Sequence, residues 1–340
     1  MAVQSKCRIF AQKKLIMGKY INRGNDVFTG YTNNDYVDKT GLIEYINSTI
    51  ETGSRLTCVT RPRRFGKSMA AQMLYAYYDK SSDSRQLFGS YQIAHNPSYE
   101  RHLNKYPTIF IDITEFTTRF EGNPAIVEMI PSLLIKDLTK TYPSVEIDED
   151  DDLMDVLLNI TIETGEKFVF IIDEWDALCR EAADKPHLMN KYINLLRRMF
   201  KSSDTARVFA CAYMTGILPI KRYGTQSALN DFREFSMTNP GQLAGYIGFT
   251  EKEVSKLCDK YGMKYEEMKA WYDGYCFGPE YPAIFNPNSV MAACSGKIYD
   301  NYWGKTSLFE TLQQYIDLNL DNVSEKLDKI LRDEKVIVST

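Results

Sequence analysis

The chain has 340 residues, 44% hydrophobic and 25% charged, the balance of an ordinary soluble protein of one large domain or two smaller ones with a substantial core. Its 41 Lys and Arg against 45 Asp and Glu leave a formal charge of −4, which gives no global electrostatic reason to expect nucleic-acid binding. No run approaches the roughly 18 apolar residues of a membrane span, no signal-peptide h-region follows the basic N-terminus, and seven cysteines without a C-x-x-C pair fit a reducing cytoplasm.

Residues 1 to about 35 show no clear period. From Asp35 to Ile46 the spacing of Leu42, Ile43 and Ile46 predicts a helix, with Thr40 as its N-cap. A short apolar strand, Leu56–Thr60, then leads into Arg61-Pro-Arg-Arg-Phe-Gly-Lys-Ser68 and a helix from Met69 to Asp79. Strand, turn, Gly-Lys-Ser, helix is the layout of a phosphate-binding loop. Gly66 lets the backbone approach phosphate, Lys67 brings a point charge towards the β- and γ-phosphates, and Ser68 offers a hydroxyl to Mg²⁺. The helix start adds free N–H groups and a positive dipole end. Arg63, Arg64, Phe65, Gly66, Lys67, Ser68 and Met69 are the candidate nucleotide-binding residues, with ATP and Mg²⁺ as the expected cofactors. The match is partial, because the eight-residue pattern places its first glycine where this chain has Arg61.

A second strand, Thr108–Ile113, is nearly all apolar, as a strand buried on both faces must be. Asp112 within it either faces the nucleotide pocket or caps the following loop. Residues 125–141 form an amphipathic helix, and the acidic run 146–152 reads as a solvated loop before the helix 153–163 rather than as a metal cluster. The apolar strand Phe168–Glu174 ends in two carboxylates. A phosphate-binding loop needs one carboxylate at the end of a neighbouring strand to hold Mg²⁺ and often another to polarise water. Asp173 fits the metal role beside Ser68, and Glu174 the base; the alternative is that the pair caps the next helix. After the helix 188–200, a fourth strand, 207–216, carries Thr215 near its end, either beside the γ-phosphate or as an ordinary strand cap. Glu174, Lys67 and Thr215 are the catalytic candidates. A fifth strand, 234–237, precedes Asn239-Pro-Gly241, and the alternation of strand and helix predicts an α/β fold, a doubly wound parallel sheet occupying residues 1–238 with its N-terminal extension.

Residues 239–340 change character. Thr250 and Glu253 make a capping box, further helices follow, and the aromatic stretch 271–278 reads as packing in a small helical, lid-like domain. Base stacking on those aromatics is the alternative, with little positive charge to accompany it.

With these residues assembled, the chain resembles the predicted bacterial AAA-ATPase-like family, P-loop ATPases often joined to a C-terminal nuclease-like domain of the PD-D/E-X-K type. The resemblance rests on Tyr36-Val-Asp-Lys-Thr40, Thr60-Arg-Pro-Arg-Arg-Phe-Gly-Lys-Ser68, Ile172-Asp-Glu-Trp-Asp-Ala-Leu178, Met214-Thr-Gly216, Trp271-Tyr-Asp-Gly-Tyr275, Asn286-Pro-Asn-Ser289 and Tyr302-Trp303. It implies that Lys67 and Ser68 bind phosphate and Mg²⁺, that Asp173 is the metal-side carboxylate and Glu174 the hydrolytic base, and that loss of the first loop glycine is tolerated. Arg61, Arg63 and Arg64 receive no settled role. The residues after the helical segment leave no room for a full nuclease domain, so nuclease activity is not expected of them. The expected function is Mg-dependent ATP hydrolysis coupled to a conformational signal; the alternatives are a nucleotide-gated sensor with negligible turnover and a small-molecule kinase. The expected partner is a protein or a nuclease-like domain outside this chain, with nucleic acid involved only indirectly, no membrane, and homo-oligomers allowed. Arg222 and Arg233 are arginine-finger candidates by position.

Overall fold

The computed structural model describes residues 18–181, 185–220, 229–275, 283–302 and 332. The phosphate-loop strand β1 (Leu56–Thr60) lies in a five-stranded sheet with β2 (Thr108–Asp112), β3 (Phe168–Asp173), β4 (Phe209–Gly216) and β5 (Arg233–Phe235). The order is β2-β3-β4-β1-β5, and every pairing is parallel. Side chains alternate between two cores. On one face Cys58, Ile109, Ile111, Phe170 and Ile172 pack with the helices Ile126–Thr141, Leu153–Thr164 and Pro186–Phe200. On the other, Val59, Phe110, Val169, Ile171 and Tyr213 pack with the helices Gly41–Thr49 and Lys67–Tyr78. A strand covered on both faces has no wet side, so these segments read as near-continuous apolar runs.

From β1 the chain crosses to β2 at one edge, and from β4 it crosses back over β1 to β5 at the other. Opposite crossovers leave a crevice at the carboxyl ends of β1 and β4. One expectation is corrected here: the Asp-Glu strand β3 does not neighbour β1, because β4 lies between them. Lateral order in a parallel sheet is set by how many strands each crossover skips, which periodicity does not encode.

Local readings shift by a few residues. The fourth strand starts at Phe209, after a helical turn Thr205–Val208, and the fifth is Arg233–Phe235. Thr40 stands at the N-cap of Gly41–Thr49 without capping it; its hydroxyl donates to Asp38 and accepts from the Ile93 N–H. The acidic run ends in Asp152, which caps Leu153–Thr164 by accepting from Met154 and Asp155 N–H at 2.8 and 3.0 Å.

Beyond the large sheet, in a second, smaller unit, lies a third apolar cluster of Val254, Leu257, Cys258, Met268, Val290 and Cys294. Three helices surround it, Glu251–Tyr261, Tyr265–Tyr272 and Pro287–Gly296, together with an antiparallel sheet of β6 (Phe249–Thr250), β7 (Asp273–Tyr275) and β8 (Ile284–Phe285). The helices expected here are joined by short strands that the sequence does not signal, since two or three residues are too few for a period-two pattern. Arg222, residues 276–278 of the aromatic stretch, and Trp303 with the rest of the expected helical domain through residue 331 lie outside the described residues.

Candidate active site

The turn after β1 is built by backbone conformation. Gly66 adopts φ 91°, ψ 16°, and a Cβ added there meets no atom within 4 Å. Glycine is needed for the left-handed conformation rather than for space. Arg64, also at positive φ (66°), is exposed at the tip. Arg61, in the place of the missing glycine, is wholly buried; its Nη1 donates to the carbonyls of Thr60 at 2.8 Å and Phe235 at 2.9 Å. It ties the ends of β1 and β5 together, and burial pushes its guanidinium down to about 10, which leaves it charged at neutral pH. The helix Lys67–Tyr78 follows at once, so its first N–H groups face the loop. Lys67 is 4% exposed, and its Nζ curls back to Pro62 O at 3.3 Å.

The ends of β3 and β4 supply the other wall. Asp173 is buried and receives the Thr215 hydroxyl. Burial pushes its carboxyl up from the usual range, while hydrogen bonds from Ser68 and Thr215 and the nearby Lys67 charge oppose that rise. Glu174 takes the left-handed conformation (φ 49°), with its N–H towards Thr215 Oγ1 at 3.3 Å and Asp173 Oδ1 at 3.1 Å. That turn brings Glu174 Oε1 to 3.2 Å from Lys67 Nζ and Oε2 to 2.7 Å from Arg180 Nη2. The Trp175 N–H donates to Thr215 O at 2.8 Å, fixing the β3 exit against β4. Asp112, level with Asp173 across the β2–β3 pair, accepts from Thr114 N–H at 2.8 Å and caps the next helix. Burial and then the Asp173 charge push it up to about 6.

A cavity of about 570 Å³ opens over the loop. Arg63, Arg64, Phe65, Gly66, Lys67, Ser68, Met69 and Glu174 line one side of it. Tyr36 and Lys39 from the N-terminal segment, Tyr246 beside the core of the large sheet, and Phe249 and Asn288 from the second unit complete its lining. A pocket with phosphate-binding groups at one end and aromatic side chains at the other suits a nucleotide. Lys39 is buried on this wall and reaches Gly245 O at 2.9 Å and Glu253, whose carboxylate also accepts from Thr250 N–H at 2.7 Å.

The donors fit Mg²⁺ completed by substrate oxygens: the Ser68 hydroxyl and the Asp173 carboxylate are both hard oxygens, and Ser68 lies near enough to favour the ionised Asp173. Among the described residues no group of three or more His, Cys, Asp or Glu could hold a metal by itself. A hard cation completed by phosphate and water oxygens needs no such cage.

The structure thus gathers Lys67, Ser68, Asp173, Glu174 and Thr215 at one sheet edge. Thr215 is fully buried, so what its hydroxyl meets directly is Asp173. Phe65 is 1% exposed and packs in the core, leaving its backbone to the loop. Arg233 is exposed and pairs with Thr57, three positions before the phosphate-loop end of β1, so it does not reach this chain's own site. Sequence reasoning missed Arg180 and Asp176, although acid and base four apart directly after a strand end are a legible signal. It also left the far wall without a role. Tyr36 and Lys39 lie in one of the quoted motifs and Asn288 in another, but only the fold brings them opposite the loop.

A family profile described as predicted AAA-ATPase matches residues 29–225, more than half of the chain. No curated protein is significantly similar in sequence. Among solved structures, the Aeropyrum pernix Orc1 protein in complex with DNA is similar over 74% of this chain and 55% of that one, with 11% identity and a TM-score of 0.36. The chain therefore spans about half of that protein's length. Among the described residues no helix is long and apolar enough to cross a membrane.

Proposed function

We propose, from the premise that the chain belongs to the predicted AAA-ATPase family, that it binds Mg-ATP in the cavity over residues 63–69 and hydrolyses it. The observation that carries this reading is the meeting of Lys67 and Glu174, 3.2 Å apart, where the phosphate loop faces the end of β3. A cation placed for the β- and γ-phosphates then lies beside a carboxylate placed for the attacking water.

In this reading the phosphates lie on the N–H groups that start the Lys67–Tyr78 helix, and Lys67 exchanges Glu174 for phosphate oxygen. Ser68 and Asp173 would hold Mg²⁺, which would supply positive charge to offset that of the phosphates. Thr215, through its hydroxyl, keeps Asp173 oriented. Glu174 accepts the proton of the water as it attacks the γ-phosphorus, while the bond from that phosphorus to the bridging oxygen breaks and ADP leaves with the oxygen. The base and ribose lie towards Tyr36 and Phe249. Because that wall includes Phe249 and Asn288, nucleotide contact biases the unit beyond residue 238 relative to the large sheet. Lys39, joined to Gly245 and Glu253, links the two. The conformational signal would pass by this route to a protein partner.

The test is calorimetric titration of the full chain with Mg-ATP, alongside phosphate release. Wild type binds and turns over, and Lys67→Ala loses affinity by at least about 100-fold, the scale for removing a charge-assisted phosphate contact. A wild-type chain without ATP affinity in Mg²⁺ sinks the reading.

A further inference from the structure

Behind Glu174 stands a relay of charged groups, Arg180 and Asp176, that do not line the cavity. Arg180 Nη2 donates to Glu174 Oε2 at 2.7 Å, and its Nε lies 3.1 Å from Asp176 Oδ2. Asp176 is wholly buried and accepts the backbone N–H groups of Ile217 at 3.2 Å and Leu218 at 2.9 Å. The relay therefore ends on the segment leaving β4, one and two residues beyond Gly216. Glu174 lines the cavity, whereas Arg180 does not. One oxygen of Glu174 points at Lys67 and the phosphate end; the other is held from behind.

A general base works when its geometry is fixed before the water arrives, and its orientation commonly comes from a third group. Binding of phosphate to Lys67 takes away the partner of Oε1 and leaves the Arg180 contact in place. A guanidinium can span two carboxylates with directed N–H groups, which a lysine ammonium does with less directional restraint. We propose that Arg180, anchored on Asp176, is a positioning residue for hydrolysis that aims Glu174 at the attacking water without touching the nucleotide. The assignment rests on the hydrolase reading above. A purely structural role, tying the turn Ala177–Glu181 to β3, is the competing account.

The experiment compares full-length wild type, Arg180→Gln, Arg180→Lys, Glu174→Gln and the Glu174→Gln/Arg180→Gln double variant. It measures the Mg-ATP dissociation constant and kcat for phosphate release on the same preparations. Arg180→Gln is expected to keep the dissociation constant within about threefold while kcat falls about 10- to 100-fold. Arg180→Lys recovers part of that loss. In the double variant kcat is no lower than in Glu174→Gln alone, because a residue that acts through Glu174 has nothing left to position. An unchanged or raised kcat in Arg180→Gln overturns the assignment, as does a further fall in the double variant, which would mean direct action on the phosphates. Parallel loss of nucleotide binding and thermal stability in both Arg180 variants favours the structural account and likewise overturns it. Wild type that binds ATP and releases no phosphate removes the hydrolase reading and this assignment together; wild-type turnover with Arg180→Gln unaffected removes this one alone.

Discussion

Lys67 and Glu174 form an ion pair, Nζ to Oε1 3.2 Å, with side chains only 4% and 18% exposed. Nucleotide binding must break it, because the lysine cannot serve the carboxylate and the phosphates equally. Glu174→Gln removes the competing charge and the base together. The variant is expected to bind Mg-ATP at least as tightly as wild type in a calorimetric titration and to release phosphate about 100-fold more slowly or worse. Turnover at the wild-type rate would take Glu174 out of the mechanism.

How much of this site is legible in the sequence follows from which signals are local. Gly66, Lys67 and Ser68 sit in one turn, and the Phe168–Asp173 run announces a buried strand with charge at its end. Those features survive any arrangement of the rest. The insertion of β4 between β1 and β3 is a property of crossovers, so a strand that looked adjacent is one place removed. The far wall joins Tyr36 to Phe249 and Asn288 across more than two hundred residues of chain, and no period links them. The small sheet β6–β8–β7 was hidden by the brevity of its strands, which borrow their order from the neighbouring helices.

Asp112 and Asp173 stand level on β2 and β3, and the proximity has a pH signature. Burial, then the Asp173 charge, pushes Asp112 from 3.8 up to about 6, so the fold binds that proton more tightly than the unfolded chain does. The stabilisation is full below about pH 4 and is lost as pH rises through 6. Asp112→Asn keeps a side chain that can cap Thr114 and carries no charge. Thermal unfolding should find this variant more stable than wild type at pH 7.5, by about 1–2 kcal/mol after allowance for partial exposure, with the difference closing near pH 4. Parallel pH profiles would show that Asp112 titrates normally.

Gly216 is required for a reason opposite to that at Gly66. A Cβ at Gly216 would stand 2.5 Å from Trp175 Nε1 and 2.8 Å from Asp176 Oδ1, and both side chains are wholly buried. Gly216→Ala should therefore lower stability by about 1–3 kcal/mol through overpacking, read as a lower denaturation midpoint. Gly66→Ala meets no atom and carries only the strain of positive φ, about 1–2 kcal/mol, so its larger effect should be on ATP affinity. Equal stability of Gly216→Ala and wild type would mean that Trp175 and Asp176 can move aside.

Arg61 occupies the position where the phosphate-loop pattern has its first glycine, and the simplest inference is that restoring glycine would improve the loop. The structure argues the reverse. The arginine is 0% exposed and binds the carbonyls of Thr60 and Phe235, so it joins β1 to the edge strand β5 where the loop begins. Arg61→Gly would leave two buried carbonyls short of a donor and open a void the size of a long side chain. The expected loss is about 2–4 kcal/mol in urea unfolding. Mg-ATP affinity should stay level or fall, because the loop would gain backbone freedom without gaining a phosphate contact. A more stable or tighter-binding Arg61→Gly chain would show that Arg61 merely fills space. A destabilised one would explain how this loop dispenses with the glycine: a strand-to-strand tie holds the shape that the glycine would otherwise permit.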